Sequence, residues 1–308
     1  MTIIRVENLT KDYGFGRGVF NISMAIPKGE VYGFLGPNGA GKTTTIRHLM
    51  GFSKPDSGRT QIFGLDTFDH YDEILKRVGY IPGEIALPDG LTGYEFLHMM
   101  KQLRKIKGKD RIKELLDRFE LDPSGDTKRM SFGNKRKLAI VAAFLHDPEV
   151  LILDEPTSGL DPVMQDRFIE FVKEEKRRGK TILLSSHIFS EVEAVCDRVS
   201  IIKNGQIVDE FPMSKLKYAE YKRYQIVLAN DEETMALHQK LAEMTDVVTI
   251  DEVTKHEIRL RLHDRDINQL IQLLSHFNVL VFHHEPITLE EYFMQYYIDD
   301  VVFEGVSA

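Results

Sequence analysis

Only one cysteine, Cys196, occurs among 308 residues. No internal disulfide can form, which fits a reducing compartment. Long apolar runs are missing too. The longest, Leu138 to Leu145, stops at His146-Asp147-Pro148, far short of the roughly 18–20 residues needed to cross a bilayer. If the chain works at a membrane, another component must hold it there. There is no basic excess: 40 Lys and Arg stand against 48 Asp and Glu, a formal net charge of −8. That argues against a dedicated nucleic-acid binder, whose footprint is basic. No repeat, low-complexity segment or sustained heptad pattern occurs. The first residues, Met1 to Val6, read as a strand and not as a leader peptide. What the chain does have is a hydrophobic fraction of 42%, enough for one large or two moderate cores.

The most informative segment is Gly36-Pro37-Asn38-Gly39-Ala40-Gly41-Lys42-Thr43, a complete G-x-x-x-x-G-K-[ST] phosphate loop. The apolar stretch Val31 to Leu35 runs into it, and a helix-compatible stretch, Thr44 to Met50, follows. A strand feeding such a loop into a helix aims backbone N–H groups and the positive end of the helix dipole at one spot. Glycine is required where a side chain would block the phosphate or where the turn needs unusual backbone angles. Lys42 is then expected at the outer phosphates, and the Thr43 hydroxyl at Mg²⁺.

Two further strands end in polar residues. Val150 to Leu153 predicts a buried parallel strand, with Asp154 and Glu155 at its end. In open α/β sheets ligands sit at that end of the strands. Asp154 suits a Mg²⁺ partner, directly or through water, and Glu155 a general base for an attacking water. Thr181 to Ser186 predicts another strand, placing His187 within reach of a terminal phosphate. Between them Ser158-Gly159-Leu160-Asp161-Pro162 reads as a turn into a helix from about Val163 to Arg178, capped by Gly179.

Over about residues 3 to 212 these segments, in this order, resemble the ATP-binding subunit of ABC transporters, in the ABC-2-type exporter group. The resemblance implies the roles that follow. The phosphate loop with Thr44 is Walker A, Asp154-Glu155 closes Walker B, Asp161 belongs to the D-loop, and His187 is the switch histidine. Glu155 and His187 are then the catalytic pair, Thr43 and Asp154 the Mg²⁺ partners, and Tyr13 the aromatic that stacks on adenine. The cofactors are ATP and Mg²⁺. Two departures stand out. The signature, usually Leu-Ser-Gly-Gly-Gln, reads Met130-Ser131-Phe132-Gly133-Asn134, with phenylalanine in place of a glycine. Ser131 and Gly133 keep a hydroxyl and a close backbone approach, and the helix that follows, Leu138 to Leu145, offers an anion-binding end. At the coupling loop after Val78 to Pro82, glutamine is replaced by Gly83, followed by Glu84. Glycine has no side chain to touch Mg²⁺, whereas Glu84 offers an oxygen ligand or stands as a surface acid.

The resemblance further implies that the signature completes the ATP site of an opposing subunit, a second copy or a relative. It implies a separate membrane permease as partner, export as the direction, and a cytoplasmic location against the inner face of the cell membrane, with no nucleic acid partner. Soluble ABC ATPases of ribosomes or DNA maintenance usually carry two such cores or long coiled coils, and this chain has one phosphate loop. A non-hydrolysing regulatory binder should lack the catalytic acid, yet Glu155 is present.

The expected architecture is α/β: a P-loop NTPase core with an ABC helical subdomain at about 85–145, forming an ABC ATPase domain over residues 1–213. In the helical part, Phe96, Leu97, Met100 and Leu103 share one helical face, and Ile112, Leu115, Leu116 and Phe119 another. The basic run Lys101, Arg104, Lys105, Lys107, Lys109, Arg111, Lys113 reads as a solvated face or as one turned toward lipid headgroups. Residues 214–308 change character. Strand patterns at 224–228, 247–250, 257–262 and 278–282 alternate with helices near Asp231 and Ile267, predicting a small ferredoxin-like α+β domain. Thr288 and Glu291 form a capping-box pair for a last helix through about Tyr297.

Overall fold

The computed structural model describes residues 1–106, 111–217 and 221–297. The chain divides after Pro212 into two compact units, the second starting at Met213. In chain order the first holds β1 (Thr2–Asp12), β2 (Gly18–Pro27), β3 (Val31–Leu35), α1 (Lys42–Leu49), β4 (Ser57–Ile62), β5 (Leu65–Asp66), α2 (Tyr71–Ile74), β6 (Val78–Ile81), α3 (Gly93–Leu103), α4 (Ile112–Arg118), α5 (Phe132–Phe144), β7 (Val150–Asp154), α6 (Pro162–Arg177), β8 (Thr181–Ser186), α7 (Phe189–Val195), β9 (Arg198–Lys203) and β10 (Gln206–Pro212).

Six of these strands form one sheet in the order β10-β9-β3-β8-β7-β6. The pairs from β6 to β9 are parallel, and β10 is an antiparallel edge. Every residue of β3, β7 and β8 is buried, as expected for parallel strands covered on both faces. The close fit shows at Gly33, where a Cβ would lie 2.9 Å from Val192 Cγ1 and 3.0 Å from Cys196 Sγ. Cys196 is buried, and burial pushes its thiol far above the ordinary range. A second, antiparallel sheet, β2-β1-β4-β5, shares a core with the first through residues such as Ile4, Ile26, Tyr32, Phe34 and Ile46.

The helical stretch at 85–145 holds α3, α4 and α5. Thr92 opens α3 with a complete capping box to Glu95. Phe96 and Leu97 are buried, but Leu103 at the helix end is 68% exposed. The signature helix differs from expectation. It starts at Phe132, six residues before Leu138, because the Ser131 hydroxyl accepts the Asn134 amide and caps it there. The basic run is only partly a solvated face. The Arg104 guanidinium donates to the carbonyls of Leu75 and Val78, and Arg111 pairs with Glu175 and Glu114. Lys107 and Lys109 lie outside the described residues. Among the described residues, no helix is long and apolar enough to cross a membrane.

The second unit holds α8 (Ser214–Lys217), β11 (Tyr221–Leu228), α9 (Asp231–Ala242), β12 (Val248–Val253), β13 (Glu257–His263), α10 (Ile267–Leu274), β14 (Val279–Glu285) and α11 (Leu289–Met294). Its antiparallel sheet runs β12-β13-β11-β14, the split connectivity in which the first and third strands lie side by side at the centre. Leu237 and Leu241 of α9 and Leu270 and Leu274 of α10 build a core of their own with Ile226, Ile258, Leu260 and Leu262. Thr288 and Glu291 cap α11 reciprocally.

Candidate nucleotide site

The order of the large sheet puts β8 between β3 and β7, so the C-terminal ends of all three open onto one place. In register, Leu35 pairs with Ser186 and Asp154 with Ser185. Residues 36–43, 154–155 and 185–187, far apart in sequence, converge there because the strands before them are parallel neighbours.

The phosphate loop is held from below. The Ala40 carbonyl accepts the Gly205 amide at 2.9 Å. Gly41 has φ +113°, in the left-handed region, and a Cβ there would lie 2.7 Å from Val19 Cγ1. Both the conformation and the close approach demand glycine. The ladder of α1 begins with the Thr45 amide on the Gly41 carbonyl at 3.0 Å, so the amides ahead of it are the unpaired donors of a helix start, an anion-binding end. Gly36 and Ala40 are buried, Thr44 is half-buried, and Pro37, Asn38 and Gly39 form the exposed crest.

Lys42 is 4% exposed. Its ammonium donates to the carbonyls of Gly36 at 2.6 Å and Pro37 at 3.1 Å and lies 3.8 Å from Glu155 Oε1. Burial pulls its pKa below the ordinary lysine value, with Glu155 and Asp154 acting against that shift. A buried cation beside unpaired amides fits a bound polyphosphate.

Asp154 is fully buried. One carboxylate oxygen accepts the Thr43 hydroxyl at 2.8 Å, the other the Ser185 hydroxyl at 2.8 Å. Burial raises its pKa, and the two hydroxyls and Lys42 oppose the rise. The Thr43 hydroxyl and the Asp154 carboxylate already touch, so the hard oxygen donors that Mg²⁺ prefers are in place.

Glu155 has φ +47°, a left-handed conformation unusual for a residue with a Cβ. Its amide donates to the Ser185 carbonyl at 2.9 Å, which fixes the turn. Oε1 then lies 3.3 Å from His187 Nδ1. The structure thus brings Lys42, Thr43, Asp154, Glu155 and His187 into one cluster.

Sequence reasoning did not assign two supports. Ser185 orients Asp154. Glu191, buried in α7, accepts hydroxyl hydrogen bonds from Thr157 and Ser186, and the Ser186 oxygen accepts the Ile188 amide at 2.9 Å. These bonds brace the turn carrying His187. Burial raises the Glu191 pKa. A carboxylate one helical turn after a strand end was the only available signal.

The remaining candidates sit at the margins. Tyr13 is 55% exposed on the turn leading into β2, the strand that packs on Gly41, and Lys11 Nζ lies 5.9 Å from its ring centroid. Asp161 caps α6, accepting the Met164 amide at 3.0 Å. Ser131, Phe132 and Asn134 are exposed. Among the described residues none of Ser131, Phe132, Gly133 and Asn134 bonds to the phosphate loop. Instead the Phe132 ring covers Gly159: a Cβ at 159 would lie 2.0 Å from Phe132 Cδ1. At the coupling loop, the residue against Asp154 is Gly83, where a Cβ would lie 3.2 Å from Asp154 Oδ2. Glu84 is exposed and forms no hydrogen bond or ion pair with a described residue.

Comparison with known proteins agrees with this geometry. A family model described as ABC transporter matches residues 19–158. The bacitracin transport ATP-binding protein BcrA of Bacillus licheniformis is 39% identical over 250 residues, covering 80% of this chain and 81% of that protein. The linearmycin resistance ATP-binding protein LnrL of Bacillus subtilis is 32% identical over 307 residues, covering 95% of this chain and 97% of that protein. The solved dimeric structure of MJ0796, a bacterial ABC transporter cassette, matches the fold with a TM-score of 0.60 at 24% identity, over 68% of this chain and 99% of that one. With a complete phosphate loop, a buried Asp154 and relatives that align over most of their length, the chain belongs to the ATP-binding proteins of the ABC transporter family.

Proposed function

We propose that this chain is the ATP-hydrolysing subunit of an exporter, pairing with a second ATPase subunit and driving a separate membrane permease. The observation that carries the reading is the cluster of Lys42, Thr43, Asp154, Glu155 and His187 at three adjacent strand ends. As a family member the chain binds and hydrolyses ATP. Lys42 and the amides at the start of α1 hold the phosphates. Thr43 and Asp154 would hold Mg²⁺, which neutralises phosphate charge when bound. Glu155 accepts the proton of the attacking water, and His187, bridged to it, holds the terminal phosphate side of the site.

Pairing is supported by the signature. Ser131 and Asn134 stand exposed at a capped helix start, where the phosphates of an opposing subunit's ATP would find donors. Export is supported by the relatives, one named for bacitracin transport and one for linearmycin resistance. Glu84, exposed beside the metal-side loop, is the coupling contact toward the permease. The unit from Met213 on, with its own core, is an accessory domain. The subunit works from the cytoplasmic face of the membrane, held there by its partner.

The test is purification from membranes of the cells that make it. A permease copurifying with the chain, and ATPase activity that rises when the two are reconstituted, is the expected result. A chain that stays free of membrane proteins and hydrolyses ATP at an unchanged rate in their presence would overturn the transport reading.

A further inference from the structure

Arg136 lies in the second turn of α5 and is fully buried, an uncommon place for a guanidinium. All its described hydrogen bonds go to backbone carbonyls. Nη1 donates to Pro82 at 2.8 Å, Nη2 to Gly83 at 2.8 Å and Nε to Ser158 at 3.0 Å. Pro82 and Gly83 form the loop after β6, and Ser158 the loop after β7. The planar fork of arginine suits such simultaneous donation, and lysine does not reproduce it.

Two neighbouring features share this centre. The Phe132 ring lies with its centroid 5.6 Å from the guanidinium carbon and also covers Gly159. Gly83, one of the two carbonyls held on the β6 side, is the residue whose Cβ position is 3.2 Å from Asp154 Oδ2. Burial pulls Arg136 below the usual arginine pKa, and the nearby carboxylates Glu155 and Asp154 oppose that shift. One buried cation therefore joins the signature helix to two loops that flank Asp154 and Glu155.

We propose that Arg136 is a positioning residue for ATP hydrolysis, tying the loops at Gly83 and Ser158 together through their main-chain carbonyls so that Asp154 and Glu155 are held in place without a side chain at position 83. The inference rests on the reading of this site as an ATP site. It also gives the Phe132 departure a physical role: the ring closes the latch over Gly159, where no other residue would leave room for it.

The experiment uses the full chain with Arg136→Gln and Arg136→Lys. ATP binding is measured with EDTA present, and steady-state hydrolysis is measured across a Mg²⁺ titration. Arg136→Gln should leave Mg²⁺-free ATP affinity unchanged, lower kcat by about 10-fold to 100-fold as expected for misplaced groups, and raise the Mg²⁺ concentration needed for half-maximal rate. Arg136→Lys, which keeps the charge and reaches fewer carbonyls, should recover part of both. A purely structural role would lower the melting temperature and leave kcat and Mg²⁺ dependence of the folded protein as in the wild type, and that result overturns the proposal. So does an equal loss of Mg²⁺-free binding. If Arg136→Gln does not fold, Arg136→Lys decides by the same criteria, and failure of both to fold makes Arg136 a folding residue and overturns the proposal. Should the wild type bind ATP without hydrolysing it, the functional reading fails. ATP binding titrated across Mg²⁺ concentrations in place of EDTA then decides the role of Arg136: a weaker Mg²⁺ dependence of affinity in Arg136→Gln than in the wild type supports it, and an unchanged one overturns it.

Discussion

Glu155 gives the sharpest test, because its two neighbours and its backbone predict different outcomes for different replacements. Glu155→Gln keeps the side-chain shape and the left-handed turn at φ +47°, but removes the base. Loss of a positioned general base costs about 10²–10⁴-fold, or about 2.7–5.4 kcal/mol at 1.36 kcal/mol per decade. The binding penalty should be far smaller. Lys42 keeps its carbonyl acceptors at Gly36 and Pro37. Its contact with Glu155 is long, at 3.8 Å, and the Asp154 carboxylate stays nearby to oppose the cost of its burial. Glu155→Gly acts on the fold as well. It releases about 1–2 kcal/mol of left-handed backbone strain and pays about 0.4–1 kcal/mol in unfolded-chain entropy, a net change of about 0–1.6 kcal/mol in favour of the fold. The assays are phosphate release, binding of a fluorescent ATP analogue, size-exclusion chromatography with ATP, and thermal denaturation. The expected result is two inactive variants that bind ATP, with Glu155→Gln accumulating an ATP-bound dimer and Glu155→Gly at least as heat-stable as the wild type. Normal turnover by Glu155→Gln would refute the base assignment. Loss of ATP binding by Glu155→Gln would make the residue structural. A clear loss of stability in Glu155→Gly would refute the strain argument.

Lys42→Ala removes hydrogen bonds to a charged ligand worth about 1.5–3 kcal/mol; ATP affinity should fall accordingly and turnover should vanish, and equal affinity in a binding titration would sink the phosphate-loop assignment. Glu191 is a buried acid whose folded pKa is raised by burial, so the fold binds more protons than the unfolded chain and stability falls as pH rises from the ordinary carboxylate value through the raised one. Glu191→Gln should therefore melt higher than the wild type at neutral pH, with the gap closing in acid; a pH-independent difference in denaturation midpoint would count against this. Glu84→Ala should leave ATP binding and intrinsic hydrolysis intact but lower permease-stimulated hydrolysis, because Glu84 is exposed while Gly83 is the residue against Asp154. Unchanged stimulation in reconstituted membranes would leave Glu84 a solvated loop acid.

Local chemistry made much of this protein readable without coordinates. A phosphate loop is a contiguous device, so residues 36–43 announce themselves. The all-apolar runs 150–153 and 182–184 are what parallel strands buried on both faces must look like. Periodicity likewise marked the strands and helices of the second unit, since Glu257 to Leu262 alternates and Ile267 to Leu274 repeats at helical spacing. The start of α5 was missed because its first six residues, Phe132 to Lys137, carry little apolar periodicity. The Ser131 cap alone sets it, and that is visible only as a hydrogen bond. The placement of β8 between β3 and β7, which joins His187 and Ser185 to Lys42 and Asp154, depends on long-range pairing that no local pattern encodes. Arg136 is the clearest case. In sequence it is one of three basic residues in a row, Lys135-Arg136-Lys137, and nothing local sets it apart from its neighbours. Only the packing of α5 against two loops turns that one side chain inward, where its N–H donors are taken up by the carbonyls of residues 82, 83 and 158.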